Sequence, residues 1–295
     1  MSDIVVLGSA NMDLVVRQPR LPEPGETMFG SSFATVPGGK GLNQAIAAAR
    51  VGGSVAFLGA VGGDAFGREL RETLAAAGVD TDGIALVERP TGTAHISVLD
   101  GGENAIVVVP DANGVELPLD DVQCDAIRSA RYLVVQFERP LPLVAEAVAF
   151  ARSVGVTTVV TPAPVLPLPE DFLDAVDILV PNAGEARELA GIDDETDAAR
   201  ALSKRAGMVV MTRGARGALV ARGGEIVESV EPYAVTPVDT TGAGDTFTGV
   251  LVARLAAGEA EASALRAAAV AAAIATTRAG ASTSMPTWDE VAPLV

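Results

Sequence analysis

The chain has 295 residues, enough for one large domain or two modest ones with a buried core. Apolar residues make up 49% and charged residues 20%, typical of a globular protein, and 38 acidic against 21 basic side chains leave a formal net charge of −17. This acidity argues against nucleic acid or an anionic membrane as the main partner, so an anionic substrate must be bound by local hydrogen-bond donors.

The sequence gives three indications of cellular location. The single cysteine, Cys124, excludes an internal disulfide and favours a reducing, cytoplasmic setting. The chain begins directly with the apolar run "DIVVLG", so we expect no signal peptide. The most apolar stretch, between Arg266 and Arg278, is too short to span a bilayer and predicts a buried helix.

Short apolar runs alternate with helix-like segments along the chain. Residues 4–8 predict a buried strand, residues 43–53 a helix that ends at glycine, and residues 64–78 an amphipathic helix capped by Asp64. Later strands are predicted in "RYLVVQFE", "TTVVTPAP", "DILVPN" and "GMVVMTRG", and later helices in "LPLVAEAVAFARSVG", "AGEARELAG" and "GDTFTGVLVARLAAG". This alternation indicates an α/β fold with a mostly parallel central sheet flanked by helices.

Two stretches, residues 12–37 and 91–110, depart from the alternation. Both contain short β-like segments joined by turn residues, and "DGGEN" in the second predicts a hairpin turn. We expect them to pair into a small separate sheet. Residues 1–11, 38–90 and 111–295 would then form the main α/β domain.

The stretch "DTTGAGDTFTG" places small residues between two carboxylates, Asp239 and Asp245, where a helix begins. Glycines at 242 and 244 let the backbone approach a ligand closely, and the unpaired amides of a first helical turn favour an anion. A carboxylate at 245 could take a proton from a hydroxyl nucleophile while the amides hold the group under attack, as in phosphoryl transfer. Acidic residues at an ordinary helix start are the simpler alternative, but the run has more glycine and threonine than a cap needs.

This stretch resembles the C-terminal signature of the ribokinase-like carbohydrate kinases, the phosphofructokinase B family. The resemblance extends over essentially the whole chain and implies the family's α/β fold with a small β lid. It also implies that Asp245 is the catalytic base and that an anion hole is formed by the amides of Gly242, Ala243 and Gly244.

Other segments match the family's sugar site. "PGGKGLNQAIAAARVGG" (residues 37–53) resembles its N-terminal signature, although alone it is a glycine-rich turn without the spacing of a Walker A loop. "GSANMD" and "QFERP" follow predicted strands, where polar residues bind ligands in open α/β sheets, with an Asx turn and a solvated acid as the alternatives. The resemblance implies sugar contacts from Asn11, Asp13, Gly39, Lys40, Asn43, Glu138 and Asp245.

The resemblance also implies ATP and Mg²⁺ sites. "TRGARGALV" is similar to the T-x-G-x-x-G turn that lies along the nucleotide, and "VPNAGEARELAG" to the N-x-x-E element that organises Mg²⁺ through water. Taken alone, the two would be a hairpin turn and a helical surface glutamate. The implied nucleotide contacts are Asn182, Thr212, Gly214, Gly217 and Gly244, with Glu185 serving Mg²⁺.

A monovalent cation, usually K⁺ in this family, is implied by the "DTT" element together with "ATTRAGAST" and Ser284. Asp239 would hold the cation and shape the loop while Asp245 takes the proton. The last long helix reads "RAAAVAAA", so we expect an apolar adenine contact there, and we assign no role to His95. The implied cation ligands, several through backbone carbonyls, are Asp239, Thr241, Ala275, Arg278, Gly280 and Ser284.

Short segments suggest a substrate within the family: "PGET" (24–27), "TG" (91–92) and "GEN" (102–104) are more similar to ribokinases than to adenosine kinases or fructokinases. The resemblance thus implies ATP-dependent phosphorylation of the 5-hydroxyl of D-ribose, by a homodimer joined through its lids. A sibling kinase for deoxyribose, another sugar or a nucleoside stays open. So does a sugar or nucleotide sensor without turnover, although the intact Asp245 counts against it. A dehydrogenase is disfavoured because no G-x-G-x-x-G follows the first strand.

Overall fold

The structure, a computed structural model, describes residues 2–101 and 103–295. Its strands are β1 (Ile4–Leu7), β2 (Asn11–Gln18), β3 (Ser32–Gly38), β4 (Val55–Gly62), β5 (Ile84–Val87), β6 (Thr93–Leu99), β7 (Asn104–Val109), β8 (Tyr132–Val135), β9 (Thr157–Val160), β10 (Ile178–Leu179), β11 (Met208–Thr212), β12 (Ala218–Arg222) and β13 (Glu225–Val230). Its α-helices are α1 (Lys40–Arg50), α2 (Ala65–Ala76), α3 (Asp121–Ser129), α4 (Leu141–Ser153), α5 (Ala183–Ala190), α6 (Glu195–Leu202), α7 (Ala243–Ala256), α8 (Glu261–Thr276) and α9 (Trp288–Val291).

The main sheet confirms the predicted α/β architecture. In the described part of the chain it has nine strands, in the order β13-β12-β11-β10-β9-β8-β1-β4-β5. The strands from β11 through β5 in this order pair in parallel, and β12 and β13 add an antiparallel edge. Alternate residues of each strand point to opposite faces, so Ile4 and Val6 pack with α1, α7 and α8, while Val5 and Leu7 pack with α3 to α6.

The two departing stretches pair with each other, as the sequence predicted. They form a separate sheet in the order β3-β2-β6-β7, in which β2 pairs antiparallel with β3 and parallel with β6. Strand β7 pairs antiparallel with β6 and ends the small sheet. Gly102, which belongs to the predicted "DGGEN" turn and to "GEN", lies outside the described residues.

The start of α1 differs from its prediction for a reason that the structure shows. Helix α1 begins at Lys40 rather than Asn43, because the side chain of Glu138, 98 positions away, accepts the Lys40 amide at 3.0 Å and fixes the first turn. The predicted cap of α2 is confirmed, since Asp64 accepts a hydrogen bond from the Gly67 amide at 2.8 Å. Among the residues that the structure describes, none of the helices is both long enough and apolar enough for a membrane span.

Candidate active site

The carboxyl ends of β1 and β8 and the start of α1 meet at Glu138. Its Oε2 accepts hydrogen bonds from the Lys40 amide, at 3.0 Å, and from the Ser9 hydroxyl, at 2.5 Å. Burial lowers the pKa of Lys40, but the carboxylates of Asp245, Glu138 and Glu185 outweigh burial, so the pKa lies above its usual value. The ammonium group therefore stays charged and offsets the surrounding acids.

Strand β2 brings Asn11 and Asp13 to the same place. Asn11 is buried, and its Oδ1 accepts a hydrogen bond from Asn113 Nδ2 at 2.6 Å. Burial raises the pKa of Asp13 to about 7, and the nearby Glu138 carboxylate adds to the rise. A Cβ on Gly38 would lie 2.3 Å from Asp13 Oδ2, so that glycine makes room for the carboxylate. The result is a polar pocket whose acids and amides can bind several hydroxyl groups.

Gly39 sets the backbone that leads into this pocket. It precedes α1 with a φ of 96°, a value that side-chain-bearing residues rarely adopt. A Cβ here would lie 2.8 Å from the Ser9 carbonyl oxygen. The glycine therefore lets α1 start close against the end of β1 and turns the Lys40 amide toward Glu138.

Asp245 lies in the first turn of α7 and is buried. Its Oδ2 accepts from Asn43 Nδ2 at 3.2 Å and its Oδ1 from Gln44 Nε2 at 3.0 Å, so α1 holds both carboxylate oxygens. Burial raises the pKa of Asp245 to about 6, and the opposing effects of Lys40 and the two amides do not cancel it. A carboxylate with this pKa is mostly ionised at pH 7 and can accept a proton from a hydroxyl group.

The backbone before Asp245 offers unpaired amides. Gly242 caps α7 in the left-handed region with a φ of 74°. Among residues 2–101 and 103–295, the amides of Gly242, Gly244 and Asp245 have no acceptor, whereas the Ala243 amide donates to the Thr240 carbonyl at 3.2 Å. Two of the three amides predicted for an anion hole are thus free, and the Asp245 amide joins them.

A cavity of about 720 Å³ opens on the other side of this helix start. Helix α8 contributes Ala269, Ala272, Ala273 and Thr276 to its wall, so the face of the last long helix toward the cavity is apolar except for Thr276. The wall also contains Ala243 and Gly244, so the cavity reaches the amides that precede Asp245. All the predicted nucleotide residues line the cavity, namely Asn182, Thr212, Gly214, Gly217 and Gly244.

Glu185 occupies a defined position at the start of α5. The Asn182 side chain accepts from the Glu185 amide at 2.9 Å, and Glu185 Oε2 accepts from the Asn182 amide at 2.8 Å. This reciprocal capping box fixes both side chains. Burial raises the pKa of Glu185, with the Asn182 amide and Lys40 opposing the rise. One carboxylate oxygen is used by the cap, so the group suits contact with a hydrated cation better than direct chelation.

The predicted monovalent-cation residues lie in two segments, 239–241 and 275–284, which a hydrogen bond joins. Both oxygens of Asp239 accept backbone amides, from Thr241 and Gly280, each at 2.9 Å. The Arg278 amide donates to the Ala275 carbonyl at 3.2 Å, and Ser284 follows in the next turn. Residues 2–101 and 103–295 contain no metal-type cluster of three or more His, Cys, Asp or Glu, but a site built mainly from carbonyl oxygens would not include such a cluster.

Several polar residues of the site were not predicted. Gln44 and Gln136 are fully buried behind Asp245, and Arg139 and Asn113 are buried beside Asn11. Gln44 gave a usable signal, since it follows Asn43 directly and lies one helical turn after Lys40, both of which were predicted site residues. Ser9, Gln136 and Asn113 gave none, because their partners are distant in sequence.

The chain is similar to known proteins in both sequence and fold. The pattern of the pfkB family carbohydrate kinases matches residues 1–288. The ribokinase of Haemophilus influenzae is 39% identical over 97% of this chain and 96% of its own, and that of Bacillus subtilis is 39% identical over 100% of both. The structure of Arabidopsis thaliana ribokinase complexed with ribose and ATP superposes with a TM-score of 0.92, at 32% identity, over 99% of this chain and 98% of that one. The two signatures, the fold and the full-length matches agree, and the chain belongs to the pfkB family of carbohydrate kinases.

Proposed function

We propose that this carbohydrate kinase is a ribokinase, which transfers the γ-phosphoryl group of ATP to the 5-hydroxyl of D-ribose. One observation carries the proposal: the Asp245 carboxylate accepts a hydrogen bond from Asn43 of the polar pocket, and Asp245 directly follows Gly244, which has a free amide and lines the 720 Å³ cavity. The full-length relatives at 39% identity are named ribokinase, and a superposing structure is named as a complex with ribose and ATP.

In this proposal the polar pocket binds the sugar. Its amides and carboxylates can hold adjacent hydroxyls in fixed directions, which orients the attacking oxygen toward Asp245. The unpaired Asn43 Oδ1, buried without a partner in the described chain, is a free acceptor for one of these hydroxyls. The residues assigned to the sugar are Asn11, Asp13, Gly39, Lys40, Asn43 and Glu138.

Asp245 accepts the proton of the 5-hydroxyl as the oxygen attacks the γ-phosphorus. The amides of Gly242 and Gly244 donate to the phosphoryl oxygens, where negative charge is concentrated. Ala243 can join them once its amide leaves the Thr240 carbonyl. ATP occupies the cavity, with its adenine against the alanines of α8 and its phosphates at the start of α7.

Two cations complete the proposed site. Mg²⁺, bound through water near Glu185, would neutralise the phosphate oxygens of ATP. K⁺ would bind between the two segments 239–241 and 275–284 and so stabilise the loop that carries the anion hole, with ligands from Asp239, Thr241, Ala275, Arg278, Gly280 and Ser284. The fixed Asp239 carboxylate and the turn after α8 support this assignment.

The small sheet is assigned as a lid over the sugar and as the interface of a homodimer. Its strand β7 exposes Ile106, Val107 and Val108 to solvent, with 65% of Val107 accessible. An apolar edge strand exposed in this way favours pairing with another chain. Closure of the lid would exclude water, which otherwise competes with the sugar hydroxyl for the phosphoryl group.

The proposal is tested by ATP consumption in the presence of Mg²⁺ and K⁺, across D-ribose, 2-deoxyribose, fructose, 2-keto-3-deoxygluconate and nucleosides. We expect D-ribose to give the highest kcat/KM, and ³¹P NMR to place the phosphate on O5. A higher kcat/KM for another member of the panel would overturn the ribose assignment but keep the mechanism. Binding of ATP and sugar without turnover would instead indicate a sensor.

A further inference from the structure

Two buried glutamines stand behind the candidate base. Gln44 lies on α1 and Gln136 just after β8, and both are 0% exposed. Gln136 Nε2 donates to Gln44 Oε1 at 2.6 Å, and Gln44 Nε2 donates to Asp245 Oδ1 at 3.0 Å. Three elements of the chain are thereby connected in one directed series of hydrogen bonds that ends on the carboxylate.

Asp245 and Gln136 together set the direction of this series, because an ionised carboxylate only accepts hydrogen bonds. An amide presents an oxygen that only accepts and an NH₂ group that only donates. Since the Gln44 oxygen accepts from Gln136, its NH₂ group must point toward Asp245 and toward the Thr161 hydroxyl, 3.3 Å away. A half-turn of the Gln44 amide would set its oxygen against the carboxylate and its NH₂ group against that of Gln136.

The residues around Gln136 favour this orientation of the two amides. A Cβ on Gly8 would lie 2.3 Å from Gln136 Oε1, so the end of β1 leaves space for the Gln136 amide. In the described chain, Gln136 Oε1 is buried without a hydrogen-bond partner. An unpaired buried oxygen costs free energy of folding. The protein tolerates this cost in the arrangement in which the Gln136 NH₂ group donates to Gln44.

We propose that Gln44 and Gln136 are positioning residues for the Asp245 base: Gln44 holds one carboxylate oxygen, and Gln136 fixes the orientation of the Gln44 amide. The inference rests on the proposed function, in which Asp245 accepts the proton. It assigns an effect on proton transfer to Gln136, which has no hydrogen bond to Asp245 in the described part of the chain.

The hydrogen-bonded series Gln136–Gln44–Asp245, called the glutamine relay below, sets the proton affinity of Asp245 together with the nearby charges. Burial raises the pKa of Asp245, Lys40 and the amides of Gln44 and Asn43 lower it, and Glu138 raises it. Gln44→Met keeps the length of the side chain but removes the donor, so the carboxylate becomes harder to ionise. Gln136→Met frees the Gln44 amide to turn its oxygen toward the protonated Asp245 carboxyl, whose O–H it can accept, so the protonated form is stabilised and the pKa moves in the same direction.

The test is the pH dependence of kcat for wild type, Gln44→Met and Gln136→Met at saturating concentrations of the preferred sugar, because this profile reports groups in the enzyme–substrate complex, in which the sugar contacts the Asp13 carboxyl. We expect the acid limb to move to higher pH by about one unit in Gln44→Met, the size of one hydrogen bond to a charged group. A smaller shift in the same direction is expected for Gln136→Met. Thr161→Val, which removes the other contact of the same NH₂ group, should leave the acid limb in place.

A second readout does not depend on turnover. The side-chain carboxyl ¹³C signal of Asp245, assigned by comparison with Asp245→Asn in protein labelled at aspartate, should titrate at higher pH in both methionine variants. Unchanged titration of Asp245 and an unchanged acid limb in Gln136→Met would overturn the inference, even if Gln44→Met failed to fold. If the wild-type protein phosphorylates no sugar but the Asp245 ¹³C signal still titrates at higher pH in the methionine variants, the proposed function is wrong and the glutamine relay stands.

Discussion

The Asp239 carboxylate accepts a hydrogen bond at 2.9 Å from the amide of Gly280, 41 positions later. Burial raises the pKa of Asp239, but the contacts from Thr241 and Gly280 outweigh burial, so the pKa lies below its ordinary value. The group is therefore ionised at neutral pH, as a cation ligand must be. The same hydrogen bond joins the loop before Asp245 to the segment after α8. A cation bound at the segment can therefore affect the conformation of the loop.

Replacing Asp239 by alanine should abolish activation by K⁺. We expect K⁺ to raise wild-type kcat/KM by about fivefold or more, and to change that of Asp239→Ala by less than about twofold. The comparison uses equal concentrations of KCl and tetramethylammonium chloride, so that ionic strength is constant. Unchanged activation in a variant with a wild-type circular dichroism spectrum would contradict the assignment of Asp239.

Asp13 should destabilise the unliganded protein at neutral pH. Burial raises its pKa to about 7, above its ordinary value of 3.8. The folded state then binds the Asp13 proton more tightly than the unfolded state, so the contribution of Asp13 to stability is highest below pH 3.8 and falls as the pH rises through 7.

Asp13→Asn removes this dependence. Near pH 8, without sugar, we expect the variant to be more stable than wild type by about 1–3 kcal/mol, and the difference to shrink toward zero near pH 4. Urea unfolding at both pH values measures it. A variant equally or less stable than wild type near pH 8 would show that the Asp13 carboxylate is better compensated in the folded protein than its burial suggests.

Arg139 should affect sugar binding through a neighbouring segment. It is buried, and its Nη1 donates to the Ala112 and Asn113 carbonyls at 3.0 and 2.7 Å. Asn113 in turn donates to Asn11 Oδ1. In Arg139→Met we expect the KM for the sugar to rise by about tenfold, the effect of losing one typical hydrogen bond, with the KM for ATP within about twofold of wild type. Equal changes in the KM for the sugar and the KM for ATP would indicate general damage to the fold.

The proposed dimer can be tested on β7. Val107→Asp places a charge in the exposed apolar strand and should convert a dimer into a monomer in sedimentation velocity. Val227 on β13 is a matched control, because it is a valine on the edge strand of the main sheet and 52% exposed. Val227→Asp should stay a dimer. A wild-type protein that sediments as a monomer at all concentrations would contradict the lid interface.

Local sequence patterns predicted most of the fold. Runs such as Ile4–Leu7 are apolar on both faces of a parallel strand, and residues 12–37 and 91–110 lack a helical period, so both features were apparent. The predicted start of α1 was wrong because Glu138, from a distant part of the chain, determines where the helix begins. The hairpin of β11 and β12 was given only as an alternative for "TRGARGALV", and β13 was not predicted, since alternation alone does not distinguish a hairpin from a crossover.

The residues of the site were predictable to the extent that they form short motifs. Asp245 and its glycines are contiguous, and the structure places them beside the pocket and the cavity. Gln44 and Gln136 lie 92 positions apart, and their hydrogen bond depends on the packing of α1 against the sheet. Arg139 adjoins Glu138, but its carbonyl partners follow the small sheet, and no local pattern indicates them.

The most direct test of the account compares wild type with Asp245→Asn on D-ribose. The amide keeps the shape of the carboxylate but cannot accept the proton, so we expect kcat to fall by about 10² to 10⁴, with ATP affinity in calorimetry unchanged. That result would confirm Asp245 as the base. A variant that keeps kcat within about tenfold of wild type, with D-ribose 5-phosphate as product, would contradict the central claim.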